Sequence, residues 1–426
     1  MASSTAPPAS SREEDLGDYV DLEDEHDVEG VSEPRERYVW DDSVLSRWYC
    51  PIRIGDFLNG QYRIEHKLGW GGFSTVWLAR DLMTNVLVSL KVLCNSPQAE
   101  AEHKIQLEII ERCRREISEY LVTLETVFHL RNPDRVPLSP QYRVLVMPVR
   151  GPSLLTCCPK VSQVLRISAA RHLLAAIKHL HAAEIIHTDI NSGACMWDIE
   201  PVAQWSTADI YARIGRPQKI RLRDDQNRHF ADLVGDWNIE RSFPSALLRP
   251  SLSLGDFSHA VVASEAKQST QWPLTFCAPE RYHGQVPSYA SDMWGFMLIF
   301  FQLYTGSTLG NGNGAQFVSS LVGALGPFPE EWKGKCTLED AYDWWYDQTG
   351  QFLGSDNSAP LVSLETKLAF SLPHKSHEER ELVARVMRKG LSYRPEDRLT
   401  AAQLLEDQLF NALLGPYEHE VASGRR

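Results

Sequence analysis

Lys91 lies inside the apolar run Val-Ser-Leu-Lys-Val-Leu, where an ammonium group needs an anionic partner. Gly69, Gly71 and Gly72 precede it, between two strand-like runs. Glycines placed there would let backbone N–H groups approach the phosphates of a nucleotide, and the lysine would add a cation to the α- and β-phosphates. Each feature also has a plainer reading, as a hairpin turn and as a solvent-facing strand lysine. Glu108, on the next helical stretch, could hold the lysine while the lysine holds phosphate. Asp189, in Ile-Ile-His-Thr-Asp-Ile, could accept or orient a substrate hydroxyl proton, with His187 as a packed structural neighbour. Asp256, in Leu-Gly-Asp-Phe, is a hard oxygen ligand of the type Mg²⁺ takes. Glu280, Asp292 and Arg398 follow in chain order.

These groups need rigid elements to place them. The runs YRIEHKLGWGG, FSTVWLARD and VLVSLKVL predict three strands, and VTLETVFHL and YRVLVMPV two more. Between them EAEHKIQLEIIERCRREI has helical spacing, with Ile105, Ile109 and Ile110 on one side. After Gly151 the pattern turns helical. SQVLRISAARHLLAAIKHLHAAE places Leu165, Ala169, Leu173, Leu174, Ile177 and Leu180 near one face, and SDMWGFMLIFFQLYTG is apolar all round, as a buried helix is. The expected division is an acidic disordered tail at 1–45, a mainly β unit at 46–150, a mainly helical unit at 151–415 and a C-terminal tail at 416–426. An Arg- and Asp-rich stretch at about 200–250 reads as a partly ordered surface insert.

Composition narrows the class. At 43% hydrophobic and 23% charged residues the chain is neither wholly disordered nor membrane-embedded. The net charge of −13 disfavours direct nucleic-acid binding and favours basic protein partners. Eight scattered cysteines read as reduced thiols, and the N-terminus has no apolar signal segment, so a cytoplasmic or nuclear protein without a membrane span is expected.

The ordered set of glycine loop, Lys, Glu, Asp, Asp, Glu, Asp and Arg resembles a eukaryotic protein kinase over about residues 55–415. More narrowly, IGDFLNGQYRIEHKLGWGGFSTVWLARD and IIHTDI resemble the SR-protein kinases, which phosphorylate serines in Arg/Ser-rich proteins. The resemblance implies an α+β, bilobal kinase fold with a small mainly-β N-lobe and a larger mainly-α C-lobe. It implies ATP and Mg²⁺, and a protein substrate bound by a monomer. By position, Leu68 to Val76, with Gly69, Gly71 and Gly72, would cover the ATP phosphates and Lys91 would bind them, paired to Glu108. Met147 would be the gatekeeper, and Pro148 to Gly151, Val149 among them, the hinge at adenine. Asp189 would be the catalytic base and Asp256 the metal ligand. Glu280 with Arg398, and Asp292 on the catalytic loop backbone, would be structural.

The chain departs from that family in the catalytic loop. Asn191 stands where the resemblance calls for lysine, Ala194 where it calls for a metal-binding asparagine, and Ser258 where it calls for glycine. The expectation is a slow serine/threonine kinase, with a pseudokinase scaffold as the alternative. Thr188 in place of arginine removes the usual grip on an activation-segment phosphate. The stretch PFPEEWKGKCTLEDAYDWWYDQTG is either a dock for an Arg-rich peptide, using Trp332, Trp344 and Trp345, or an acidic surface whose tryptophans face inward.

Overall fold

The computed structural model describes residues 15–20, 49–50, 52–94, 96–113, 119–131, 141–223, 229–234, 243–269, 274–310, 312–349 and 362–424. Chain contacts divide it into two units. The first holds Met1–Asn95, Phe128–Val144 and Ala203–Asn238, and the second holds Ser96–Val127, Leu145–Val202 and Ile239–Arg426.

The strands expected in the first unit form where alternating and β-branched residues place them. They are β3 (Tyr62–Gly71), β4 (Ser74–Asp81) and β5 (Val86–Leu93), with β2 (Phe57–Leu58) on the β3 edge. β3, β4 and β5 pair antiparallel, and Lys91 lies opposite Val76. β6 (Thr126–Arg131) and β7 (Gln141–Met147) complete a sheet in the order 2-3-4-5-7-6. Inward-facing Ile64, Trp77, Ala79, Leu90 and Val92 are buried.

His66 is buried on β3, and burial pushes its pKa down to about 4 from an ordinary 6.5. The neutral ring is therefore the folded form, and the unfolded chain takes up the extra proton between those values. Stability is complete above about pH 6.5 and falls as pH drops towards 4. The expected loss is about 2 kcal/mol by pH 5 and about 3 kcal/mol at pH 4. Denaturant melts at pH 7 and pH 5 should show this slope in the wild type and a flatter one in His66→Phe.

The first unit departs from the expected division in two ways. Part of the acidic tail is ordered: β1 (Asp18–Val20) pairs in parallel with β10 (Gln218–Arg223), and β10 pairs antiparallel with β11 (His229–Val234). Arg216 explains the docking, because its guanidinium meets Asp15 at 2.6 Å and Asp18 at 2.7 Å. Tyr211 adds a bond from its hydroxyl to the Asp15 carbonyl. The middle of the insert, Ala203–Asn238, for its part, groups with the β-rich unit rather than the helical one. Thr207 donates to Glu65 and the Arg80 guanidinium bonds the Trp205 carbonyl, so the helix Thr207–Ile214 sits on β3 and β4. Most of residues 1–45 and the insert's 224–228 and 235–242 lie outside the described residues.

The second unit contains α1 (Pro97–Cys113), expected with the β-rich unit. Ile105 and Ile109 are buried as expected, but Ile110 is exposed. The next helical run forms as two helices, Gln163–Ser168 and Ala170–Ala182, with all six expected core positions buried. α2 (Tyr289–Thr305) is buried along nearly its whole length. Residues expected as a C-terminal tail instead extend a helix, Gln408–Ala422, whose Tyr417 bonds Tyr304 and Glu379. All eight cysteines are free. Among the described residues no helix is long and apolar enough to cross a membrane.

Candidate functional site

In the first unit, the glycine-rich turn joins β3 to β4. Neither φ nor packing inside the unit explains its glycines. Gly69, Gly71 and Gly72 are absent from the positive-φ residues, and a Cβ built on each would meet nothing within 4 Å. A tight hairpin glycine would show a left-handed φ. The space left over them suits an external group instead. Tyr49 steadies the tip: its hydroxyl donates to the carbonyls of Gly71 at 2.9 Å and Gly72 at 3.2 Å. Leu68 and Val76 are partly buried beside the turn, and Lys91 is 8% exposed.

In the second unit, two short ladders frame two loops. Ile185–Ile186 pairs with Val261–Val262, and Cys195–Ile199 pairs with Leu248–Leu254. The loop His187–Ala194 and the loop Gly255–Ala260 are thus pinned at both ends and face each other. Gly255 donates to the Ala194 carbonyl at 2.9 Å, and a Cβ on Gly255 would come within 2.4 Å of Met196. Asp256 follows in a left-handed conformation (φ 57°) that leaves its carboxylate exposed while Phe257 is buried.

Burial raises the Asp189 carboxyl above its ordinary pKa, and the charge of Asp256 pushes in the same direction. His187, His259 and a bond from Asn191 act against it. The His187 ring is fixed: one nitrogen bonds the Gly255 carbonyl at 2.9 Å, and Nδ1 accepts from the Asp189 N–H at 3.3 Å. That pattern is an imidazole serving structure, as expected. Asp292, on α2, accepts from the backbone N–H groups of His187 at 2.8 Å and Thr188 at 2.9 Å. Gly295, one turn on, lets the loop lie close, since a Cβ there would stand 2.9 Å from the Ile190 carbonyl. Thr188 is held at φ 63°. A β-branched residue in that region costs about 1–3 kcal/mol and persists only when its surroundings over-determine it.

The departures from the family loop acquire a physical meaning here. The Asn191 carbonyl oxygen accepts from the N–H groups of Gly193 and Ala194, and its amide donates to the Asp189 carbonyl. Asn191 is therefore a brace of the loop's turn. Ala194 is 1% exposed and brings no oxygen to a metal. Among the described residues no three carboxylate, histidine or cysteine groups could form an all-protein metal cage. The donor set of Asp256 with Asp189 near it fits one Mg²⁺ completed by nucleotide phosphates. It does not provide the second asparagine-held ion.

Glu108, expected to hold Lys91, lies at the surface of α1. It is about a third exposed and bonds Arg112 at 2.6 Å, one helical turn on, while Arg112 also meets Glu184 at 3.0 Å. The buried stripe of α1 is Glu102, Ile105, Gln106 and Ile109, with Glu102 2% exposed and bonded to Gln106. That i, i+3, i+4, i+7 spacing was readable in the sequence, but a glutamate and a glutamine on it read as polar. Met147 ends β7 with its side chain buried, and Val149 is partly buried after it. Trp332 and Trp345 are buried, so the acidic stretch has its tryptophans mainly in the core, and Glu331 pairs with Arg394.

Comparison with solved structures decides the fold. The crystal structure of a kinase domain superimposes with a TM-score of 0.59 at 18% identity, covering 85% of this chain and 98% of that one. The chain has the protein kinase fold. A model of the protein kinase domain matches residues 62–202 of this kinase-fold chain. A serine/threonine protein kinase of Aspergillus fumigatus is 26% identical over 373 residues, 84% of this chain and 86% of that one. SRSF protein kinase 3 of Mus musculus is 33% identical over 149 residues, 33% of this chain and 26% of that protein. The chain thus resembles eukaryotic serine/threonine protein kinases, with a local likeness to the SR-protein kinases.

Proposed function

We propose that this kinase-fold chain transfers the γ-phosphoryl group of ATP to a serine or threonine hydroxyl of a protein, using one Mg²⁺ on Asp256. The observation that carries the reading is the strained Thr188–Asp189 segment, clamped by Asp292 beside Asp256. Strain of this kind is kept where it aims a working group. In the reaction the substrate oxygen bonds to the γ-phosphorus, the bond to the β–γ bridging oxygen breaks, and the hydroxyl proton passes to the Asp189 carboxylate. ADP leaves. The metal, when bound, neutralises charge on the phosphates. The glycine turn offers backbone N–H groups to those phosphates, and Lys91 a cation, with Met147 and Val149 against adenine.

Glu108 is committed to Arg112 at the surface, so in this proposal Lys91 is assigned to phosphate alone. A basic substrate, Arg/Ser-rich or otherwise, suits the net charge of −13 and the likeness to SRSF protein kinase 3. A monomer in the cytoplasm or nucleus completes the proposal. The second reading, a pseudokinase scaffold that binds nucleotide or a partner, is favoured by Ala194 and by the structural use of Asn191.

The test is transfer of labelled γ-phosphate to an Arg/Ser peptide, alongside nucleotide-induced melting shifts. Lys91→Met should abolish the shift with Mg-ATP, while Glu108→Gln stays within about threefold of wild type in transfer. A melting shift without transfer in the wild type would favour the scaffold.

A further inference from the structure

Thr188 has each of its polar groups held. Its N–H donates to Asp292, its hydroxyl donates to the His259 carbonyl at 2.8 Å, and its own carbonyl accepts from the Arg281 guanidinium. Arg281 stands directly after Glu280 in the chain and is 3% exposed. The same guanidinium donates from Nε to the Ser269 carbonyl and from Nη2 to Ser269 Oγ, each at 3.1 Å. Ser269 is exposed and lies in the segment between Asp256 and Glu280. One buried cation therefore joins that segment to the peptide bond that carries Asp189.

We propose that Arg281 is a positioning residue. It holds the Thr188–Asp189 peptide in its left-handed turn, and its grip on Ser269 makes order in the 256–269 stretch a condition of that hold. A charge-assisted bond to a carbonyl is stronger than a neutral one, and a buried guanidinium must keep its donors occupied, so the two grips are linked through one group. If Ser269 is released, Arg281 is free to turn away from Thr188, and the strained residue can relax towards an ordinary φ. This assignment supplies a clamp from outside the His-Thr-Asp motif, in a loop whose Thr188 has no cation of its own.

The kinetic consequence rests on the phosphoryl-transfer reading above, whereas the structural consequence does not. In full-length protein, Arg281→Gln should lower kcat about 100-fold with KM for ATP within about twofold, as expected for a misplaced base. Adding Thr188→Gly to Arg281→Gln should recover about tenfold, because glycine takes a left-handed φ without a clamp. Hydrogen exchange should speed up in 186–194 and 256–269 of Arg281→Gln and stay unchanged in 289–305. Arg281→Lys, which keeps the charge but loses the fork, should fall between. If the wild type transfers nothing but exchange rises as described, the kinase reading fails and the positioning role stands. Unchanged exchange at 186–194 overturns the proposal, and so does loss of kcat with no rescue by Thr188→Gly and faster exchange in 289–305, which would mark Arg281 as a merely structural residue.

Discussion

Glu280→Ala is expected to cost about 3–5 kcal/mol of stability, read as a fall of roughly 3–6 °C in the melting temperature of the full chain. The carboxylate meets the Arg398 guanidinium through two bonds of 2.7 Å, with side-chain exposures of 1% and 0%. Arg398 also donates to the carbonyls of Ser392, Ala290 and Tyr393, and lies 5.0 Å from the Trp294 ring centroid. Removing Glu280 leaves the cation buried among those carbonyls with its bidentate counter-charge gone. Replacing both partners with apolar residues of similar volume, Glu280→Leu with Arg398→Met, should cost far less, because neither desolvated charge is then left behind. Denaturant melts of the two single variants and the double variant close the cycle. A double variant as unstable as either single one would show that the carbonyl network, and not the pairing of charges, holds this region. Any transfer should fall with stability, since Ala290 lies two residues before Asp292 on the helix that holds the 187–194 loop.

How far each group was readable depends on whether its partner lies in the same motif. Strand β5 was legible to the residue because Val86–Leu93 is a short apolar run bounded by turns, and Lys91 stands out within it. Asp292, Glu280 and Arg398 were legible because their order along the chain repeats a known pattern, and the structure puts Asp292 on the loop backbone and Glu280 against Arg398 as that pattern implies. Arg281 was not legible. An arginine between a glutamate and a tyrosine reads as a surface charge, and only the turn at Arg281–His283 directs it inward towards Thr188. The surface bond of Glu108 to Arg112 was not legible, because spacing from Lys91 does not specify which helical face is buried, whereas the Ile105 and Ile109 positions do. Asn191 was read by what it lacks. Its work, capping Gly193 and Ala194, depends on a turn that spacing alone does not reveal. The ordered piece of acidic tail was hidden for a similar reason, since Asp15 and Asp18 look like solvated charge until Arg216 is found beside them.

Those loop contacts decide what restoring the family's residues should do. Asp189→Ala should reduce transfer about 100- to 10,000-fold, the range for loss of a positioned general base. Ala194→Asn together with Asn191→Lys should raise transfer about 100-fold, by adding an oxygen ligand beside Asp256 and a cation for the transferring group. The two changes are not expected to contribute equally. Asn191→Lys removes three bonds that brace the turn from Asp189 to Ala194, so alone it should gain little and lower stability by about 1 kcal/mol. Ala194→Asn keeps that brace and should supply most of the gain, provided the buried position accepts a larger side chain; a melting curve reports whether it does. Transfer rates of the wild type, both single variants and the double variant, each with Asp189→Ala as its blank, separate the cases. A wild type that transfers above its blank is a kinase working with one metal. A silent wild type whose Ala194→Asn variant transfers is a scaffold in which the positioning clamps outlived the second metal site, so that Asp292 and the left-handed Thr188 still hold a base that one missing oxygen has left idle.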